Sequence, residues 1–276
     1  MGMPNPYQAD IEAILAHRRD NGADDFLTPD GRLLKGAPFT ALESAMYLLE
    51  LGVPPEHEVL QSIAARIVSG CRADGRIRIA PTGAAYPCQT ALALNVLCHM
   101  GYDNAYTSRS FAYFLNTQQP DGGWKCNKYS FGRGEETECS TPYTTLVALD
   151  AFRFSKTLRE DERLDKAAAF LLRHWEVRRP ISPCHYGIGS RFMQVEYPFR
   201  GYNLFYYVYV LSFYKSAVRD PRFIDAMSAL EAHTTDGRIV VERVVPKLAR
   251  LRFCEKGKPS ALATQRYEEI RSRVRA

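Results

Sequence analysis

Long hydrophobic runs are missing from this 276-residue chain. No apolar stretch reaches the roughly 18 residues that a membrane-spanning helix requires. The first ten residues are polar, include two prolines and are not followed by the apolar core of a signal peptide. We therefore expect a cytoplasmic protein without a transmembrane segment.

The chain also lacks an even number of cysteines: it has seven, so they cannot all pair in disulfides. An odd number in a chain expected to be cytoplasmic argues against a disulfide framework. Metal binding, catalysis and core packing remain as roles for these side chains.

Strong charge of one sign is absent as well. The formal net charge is +5, and the basic residues are scattered, with local concentrations at 178–179, at 247–258 and at the C-terminus. This pattern fits a solvated basic surface, or attraction of an anionic ligand such as a diphosphate. No nucleic-acid-binding motif is present, so we expect no nucleic-acid partner, whereas a protein partner stays open.

A short motif recurs along the chain: Asp-Gly, then Arg or Gly, then a hydrophobic residue. The copies lie at 30–33, 74–77, 121–124 and 236–239, at steps of 44, 47 and 115 residues. The last step is roughly two periods plus an insertion. A period in this range indicates an array of helix pairs or a propeller.

Helical periodicity dominates between these copies. Each unit has an amphipathic helix before the turn and a more apolar helix after it, with proline near the start of each later helix. We expect pre-turn helices at 7–18, 57–71, 106–117, 164–175 and 221–233, and post-turn helices at 38–51, 87–100, 141–154, 198–215 and 259–273. Five such pairs predict an all-α, single-domain α/α toroid (barrel) over 1–276, with inner and outer helix rings and no strand-rich region.

One copy of the motif carries a family resemblance. Residues 118–124, Gln-Gln-Pro-Asp-Gly-Gly-Trp, resemble the QW signature (Gln-x-x-Asp-Gly-Gly-Trp) of the prenyltransferase and squalene-oxidase repeat. That repeat builds the α/α toroids of triterpene cyclases and of protein prenyltransferase β-subunits. The chain also looks like short bacterial stand-alone toroid proteins at 86–88, 122–126, 200–204 and 257–260. The resemblance covers about 30–273 and implies a terpenoid cyclase-like or prenyltransferase-like enzyme for an isoprenoid.

Two departures from that family limit the functional prediction. The Asp-x-Asp-Asp motif, with which class II terpene cyclases protonate an alkene, is absent, and so is the Asp-Asp-x-x-Asp motif of class I synthases. Protein prenyltransferases hold zinc with an Asp-x-Cys pair and a distant histidine. The nearest equivalent here is the inexact Glu-Thr-Glu-Cys of residues 136–139.

Metal-type residues fall on one rim of the predicted toroid, near the starts of the post-turn helices. The candidate zinc ligands are Cys88, Cys126, Cys139 and His174, with His185 as the other histidine. Three thiolates and one imidazole are a common tetrahedral zinc set. The alternative is that these cysteines pack as small hydrophobic side chains. A closed four-ligand site would be structural, whereas an open one would be catalytic.

The fourth post-turn helix is rich in tyrosine. Tyr202, Tyr206 and Tyr209 are candidate substrate-binding residues, because an aromatic cavity suits an isoprenoid and can stabilise a carbocation. Arg191 and Arg200 are expected on the turn rim, where they could hold a diphosphate or carboxylate. Ordinary core packing and solvated surface positions are the alternatives.

The candidate catalytic residues are Glu138 and Glu196, each near the mouth of a post-turn helix, and Tyr143, which could join the aromatic lining. Asp150 lies deeper in the same helix as Tyr143. Two functions therefore stay open: a cyclase-like or transferase-like enzyme acting on an isoprenoid in the central cavity, and a non-catalytic toroid with structural zinc that binds a lipid-like ligand or a peptide.

Overall fold

A computed structural model describes residues 5–36 and 39–275 of the chain. The protein is mainly helical and divides into two compact units. Unit 1 is Met1–Tyr113 with Leu251–Phe253, and unit 2 is Phe114–Arg250 with Cys254–Ala276. The all-α prediction is confirmed, whereas the closed toroid and the single domain over 1–276 stay predictions. The start expected for the first post-turn helix, at Pro38, lies outside the described residues.

Unit 1 contains the first two predicted helix pairs. Its helices are α1 (Gln8–Leu15), α2 (Ala41–Glu50), α3 (Glu58–Ser69) and α4 (Pro87–His99), followed by α5 (Ala105–Thr117), which ends in unit 2.

Local sequence explains where these helices begin. Thr40 accepts the N–H of Glu43 at 3.3 Å and donates its hydroxyl to the Glu43 carboxylate at 2.9 Å, which caps the start of α2. Pro87 occupies the first turn of α4, where a missing N–H costs nothing.

The later segment of unit 1, Leu251–Phe253, is held by a buried carboxylate of α1. Asp10 accepts the backbone N–H groups of Arg252 and Phe253 at 3.0 and 2.8 Å. Two hydrogen bonds to a charged acceptor satisfy this acid, which is 6% exposed.

Unit 2 contains the remaining helix pairs and a small hairpin. Its helices are α6 (Pro142–Phe152), α7 (Glu162–Val177), α8 (Ser190–Met193), α9 (Leu204–Leu211), α10 (Lys215–Val218), α11 (Pro221–Glu231) and α12 (Ala261–Arg275), with 3₁₀ turns at Glu135–Glu138, Pro246–Leu248 and Arg252–Cys254, of which the last extends into unit 1.

The fourth Asp-Gly copy forms that hairpin. Strands β1 (Thr234–Thr235) and β2 (Arg238–Ile239) pair antiparallel across Asp236 and Gly237, which both have positive φ, 50° and 73°. Two left-handed residues in a two-residue loop give the turn that matches strand twist, and Asp-Gly is favoured there. This is the one β-sheet in residues 5–36 and 39–275; the sequence predicted a turn at this place but no strands.

Burial follows the predicted alternation with one exception. All eight residues of α9 and ten of the eleven residues of α6 are buried, whereas α7 buries one face and exposes its charged one. Helix α12 does not follow the rule, since among its described side chains it buries only Ala263, Tyr267 and Ile270. The prediction of an apolar last post-turn helix is therefore wrong in detail, because its arginines and glutamates form a solvated surface.

The tyrosine-rich helix begins later than predicted. It starts at Leu204 rather than Pro198, because Asn203 is the residue that caps it: Asn203 Oδ1 accepts the N–H of Tyr206 at 3.0 Å. The helix ends at Leu211, and Lys215 begins the separate short helix α10.

In three of the five post-turn helices, α4, α6 and α12, a threonine at the fourth position ties the helix to its Asp-Gly turn. Thr90 accepts the N–H of Ile77 at 3.1 Å, Thr145 that of Trp124 at 3.1 Å, and Thr264 that of Ile239 at 3.0 Å. The donor is each time the hydrophobic residue that closes the repeated motif. The repeat is thus a turn anchored to its helix by one side chain.

Of the helices described in both units, none is long and apolar enough to cross a membrane.

Candidate functional site

Glu196 is a buried carboxyl group near the end of the long fourth turn of unit 2. Its residue is 4% exposed, and it forms an ion pair with Arg243. Backbone hydrogen bonds hold the two segments together: the N–H of Arg243 donates to Val195 O at 3.0 Å, and the N–H of Tyr197 donates to Arg243 O at 3.4 Å. The acid is therefore fixed in position by its own backbone.

The electrostatic environment of Glu196 combines burial with positive charge. Burial raises the pKa of the carboxyl group, because the charged form loses water. Arg243, Arg200 and Arg191 each act in the opposite direction. The carboxyl group of Glu196 therefore experiences two opposing influences, burial and three nearby guanidinium groups.

The sequence-predicted arginines both belong to this cluster. Arg191 is exposed, and its carbonyl oxygen accepts a hydrogen bond from Arg243 Nη1 at 2.9 Å. Arg200 is half-buried, and its carbonyl oxygen accepts the Asn203 side-chain amide at 3.1 Å, directly before α9. Arg191 and Arg200 thus lie near enough to Glu196 to act on its pKa, whereas their place on a toroid rim and their role in binding stay predictions.

An aromatic wall lies three residues beyond Glu196. The ring of Phe199 lies 5.1 Å from Tyr206 (27° between planes), 4.8 Å from Tyr209 and 5.0 Å from Phe205. Phe199 is half-buried, whereas the three α9 rings are buried. Clustered ring faces of this kind can stabilise a cation.

Each tyrosine hydroxyl of this region has a protein partner. Tyr206 donates to Asp150 at 2.6 Å, Tyr209 donates to Glu269 at 3.0 Å, and the Tyr202 hydroxyl contacts His174 Nδ1 at 2.8 Å. Burial raises the pKa of Tyr209 to about 12 and also raises those of Tyr202 and Tyr206 well above the ordinary value for a phenol. These phenols are therefore neutral hydrogen-bond groups.

The other two candidate catalytic residues differ from Glu196. Glu138 has an 82% exposed side chain and pairs with Lys125 at 2.8 Å. Tyr143 is half-buried on α6, with its ring 5.7 Å from that of Tyr186. Of the three, Glu196 is the one that is buried.

A cavity of about 620 Å³ lies against α7 in unit 2. Cys139 and His174, two of the predicted zinc ligands, both line it, and the third turn contributes Glu135 and Glu136. Its other lining residues are Asp121, Phe170, Arg173, Val177, Arg179, Pro180 and Ile181.

The imidazole of His174 is fully used by the protein. Its Nδ1 meets the Tyr202 hydroxyl at 2.8 Å, and its Nε2 meets Arg179 O at 3.2 Å. Burial lowers the pKa of this histidine to about 4, so the ring is neutral, with one nitrogen donating to the carbonyl and the other accepting from the phenol. This ring is a structural link between α7 and the fourth turn.

The predicted zinc ligands do not meet as a set of four. Cys139 and His174 line the cavity against α7, Cys126 contacts Cys184, and Cys88 lies at the start of α4. Across residues 5–36 and 39–275, no group of three or more His, Cys, Asp or Glu side chains is arranged to hold a metal ion. In this arrangement the residues do not form a zinc site. Zinc binding stays a prediction, which metal analysis of the purified protein would test.

Sequence reasoning missed Arg243 and the contact between Cys126 and Cys184. Arg243 is 47 residues from Glu196, and Cys184 is 58 residues from Cys126. The sequence analysis identified these cysteines as possible metal ligands, but nothing in their spacing along the chain indicates that they contact each other. Arg243 was one basic residue among many.

Comparison with known proteins identifies solved structures that have a similar fold. No family model matches the chain, and no curated protein matches it. Solved structures similar to it include the type II terpene cyclase MstE from Scytonema: an arginine-to-alanine variant with geranylgeranyl dihydroxybenzoate as substrate (16% identity, TM-score 0.52, 98% of this chain and 82% of that chain). A tyrosine-to-phenylalanine variant without ligand gives 15% identity, a TM-score of 0.52 and the same coverage.

A third MstE structure, an aspartate-to-alanine variant in complex with the product merosterolic acid A, has 15% identity, a TM-score of 0.50 and coverage of 97% of this chain and 82% of that chain. At identities this low the likeness concerns the fold alone. The chain has a terpenoid cyclase-like fold, and the resemblance of its sequence to the QW repeat points in the same direction.

Proposed function

We propose that this protein is a terpenoid cyclase-like enzyme that protonates an isoprenoid-type substrate, with Glu196 as the acid. The observation that carries the proposal is a buried carboxyl group of raised pKa, three residues from an aromatic wall. The proposal includes closure of the helix pairs into the toroid that the sequence predicts, with the isoprenoid in its central cavity.

The similar structures support the substrate class. MstE is a type II terpene cyclase that was solved with geranylgeranyl dihydroxybenzoate as substrate and with merosterolic acid A as product. Its chain is covered over 82% of its length. An isoprenoid with an anionic head group is therefore the first substrate class to test here.

The absent Asp-x-Asp-Asp motif makes a different acid necessary. A carboxylic acid can protonate an alkene only in its neutral form, and burial favours that form of Glu196. Arg243 opposes it, since its guanidinium stabilises the carboxylate. The anionic head of a substrate that draws the arginines toward itself would weaken this opposition.

The chemistry needs no redox partner. The Glu196 O–H bond breaks, and the alkene π electrons form a C–H bond with that proton, which leaves a carbocation on the more substituted carbon. The π electrons of the next alkene close a ring, and loss of a C–H proton to a base ends the sequence. The rings of Phe199, Tyr206 and Tyr209 would stabilise the cation.

Product analysis in deuterated water tests this function. The purified protein is incubated with geranylgeranyl dihydroxybenzoate and, separately, with geranylgeranyl diphosphate. Cyclisation is an isomerisation, so the product keeps the elemental composition of the substrate, loses alkene proton signals, and carries one solvent deuterium from the acid.

Two glutamate variants provide the matched comparison. Glu196→Gln should abolish turnover while the protein stays folded, because an amide cannot supply the proton. Glu138→Gln, at the exposed ion pair with Lys125, should keep it. Substrate binding without turnover in the wild type would instead favour the non-catalytic toroid, and turnover that survives Glu196→Gln would remove Glu196 as the acid.

A further inference from the structure

Cys126 and Cys184 come from different turns of unit 2, yet the side chain of Cys184 reaches the Cys126 residue, close enough for the two thiols to interact. Cys184 Sγ also donates to the carbonyl oxygen of Cys126 at 3.2 Å, although the residues are 58 positions apart in sequence. A disulfide needs a sulfur–sulfur distance of about 2.05 Å. Because Cys184 Sγ already lies 3.2 Å from the backbone of Cys126, rotation of the two side chains would bring the sulfurs toward that distance.

The backbones that carry the two thiols are fixed to each other and to α6. The N–H of Cys126 donates to Thr141 Oγ1 at 3.0 Å, directly before α6. The N–H of Phe131 donates to Pro183 O at 2.8 Å, and the N–H of Ser182 donates to Glu136 O at 2.8 Å. The third and fourth turns therefore hold this thiol pair as one assembly.

The turn that carries Cys184 adopts an unusual backbone. Ser182 and His185 have positive φ, 71° and 56°, although neither is glycine. Left-handed backbone at such residues persists only where the surroundings enforce it, and it is concentrated at functional sites. Ser182 and His185 lie on either side of Cys184 in the sequence.

The two thiols differ in access. Cys126 is 1% exposed, whereas Cys184 is half-buried. A reagent from solvent therefore reaches Cys184 first, and Cys126 is placed to attack the sulfur of Cys184 afterwards.

We propose that Cys126 and Cys184 form a reversible disulfide that locks the third turn to the fourth. The residues that these turns contribute to the 620 Å³ cavity, Glu135 and Glu136 on one side and Arg179 to Ile181 on the other, become covalently linked through it. This site is independent of the proposed cyclase chemistry.

The oxidant is a low-molecular-weight disulfide such as oxidised glutathione. The thiolate of Cys184 attacks one glutathione sulfur and releases one glutathione thiolate. The thiolate of Cys126 then attacks Cys184 Sγ and releases the second. Two protein thiols are oxidised, one glutathione disulfide is reduced to two thiols, and the two protons pass to water or the released thiolates. The hydrogen bond with Cys126 and then burial raise the pKa of Cys184, so the exchange is slow.

Thiol counting on the full chain tests the proposal. The protein is incubated overnight in buffers of increasing oxidised-to-reduced glutathione ratio, alkylated, and analysed by intact mass and by a non-reducing peptide map. Of seven thiols, two should be lost to alkylation, and the peptides of Cys126 and Cys184 should be linked. The peptide map of the wild-type protein tests the proposal even if one of the variants fails to fold.

Three serine variants serve as controls. Cys126→Ser and Cys184→Ser should keep all six remaining thiols free of an intramolecular disulfide, whereas Cys71→Ser, in unit 1, should still lose two. Seven reactive thiols at the most oxidising ratio, or a link between other cysteines, would overturn the proposal. Thiols that return with a chelator alone would also overturn it, and would indicate zinc instead.

Discussion

Tyr206 donates a 2.6 Å hydrogen bond to one oxygen of Asp150, while Arg153 Nε donates to the other oxygen at 2.5 Å. Arg153 lies over the rings of Phe154 and Phe213, 4.1 and 4.5 Å from their centroids. Asp150 is 2% exposed. Both oxygens of Asp150 thus have partners: one binds Arg153 at the end of α6, and the other joins α6 to Tyr206 on α9.

Replacing Asp150 should be costly. Asp150→Asn removes the carboxylate that neutralises Arg153, whose side chain is 12% exposed. Breaking one partner of such a buried pair costs about 3–5 kcal/mol of unfolding free energy. Tyr206→Phe should cost less, about 1–3 kcal/mol, since Arg153 remains with Asp150. Urea denaturation measures both, and equal losses in the two variants would contradict the assigned ranking.

Neighbouring threonines on α6 should respond in opposite ways to the same substitution. Thr145 Oγ1 accepts the N–H of Trp124 at 3.1 Å and donates to Thr141 O at 3.1 Å. Thr145→Val should therefore lose about 1–3 kcal/mol. Thr144 Oγ1 is equally buried but has no hydrogen-bond partner in the described parts of the chain.

Thr144→Val is the matched control for that variant. It exchanges a buried hydroxyl for a methyl group of similar shape, so it should be neutral or stabilising. Chemical denaturation of the two variants in parallel gives the difference. A loss at Thr144 as large as that at Thr145 would remove the anchoring role given to the fourth position of post-turn helices.

Gly122 of the full QW copy is required for close approach as well as for its backbone angle. Its φ is +95°, and a Cβ there would lie 2.3 Å from Lys166 O on α7. Gly83 has the same φ of +95° but nothing within 4 Å of such a Cβ. Alanine at Gly83 should cost about 1–2 kcal/mol, from the left-handed backbone alone.

Alanine at Gly122 should cost clearly more, about 3 kcal/mol or above, because α7 must also move away. The two unfolding free energies, measured by urea titration, isolate the contact from the angle. Similar losses for both variants would show that the turn does not depend on its approach to α7.

The helix pairs could be predicted from the sequence because the residues that begin and end a helix lie within or next to that helix. The Asp-Gly turns, the prolines at helix starts and the 3.6-residue periodicity each act within one element. The start of α9 was misplaced, since Pro198 resembles a helix start, whereas Asn203 supplies the cap. Its tyrosines were found by composition, but their hydroxyl partners on other helices had no local signal.

The candidate site was predictable only in part, for a related reason. Glu196, Arg191 and Arg200 lie within ten residues of one another, so one turn brings them together. Arg243 reaches Glu196 through a backbone pairing that no spacing reveals. The zinc ligands were chosen by placing helix ends on one rim, and this argument cannot tell which way a thiol points: Cys126 turns to Cys184.

His174 should make the protein less stable in mild acid. Burial lowers its folded pKa to about 4, against an ordinary value of 6.5. Between these values the unfolded chain binds the proton that the folded protein refuses, so the unfolding free energy falls as the pH drops from 6.5 toward 4. The full difference in pKa corresponds to about 3 kcal/mol of unfolding free energy.

His174→Gln should flatten this part of the pH profile, although it lowers stability overall by disturbing the hydrogen bonds to Tyr202 and Arg179. His185→Gln, at an exposed position, is the control and should keep the slope. Urea titrations from pH 4 to 8 measure the profile, and an unchanged slope in His174→Gln would show that another group carries the acid sensitivity.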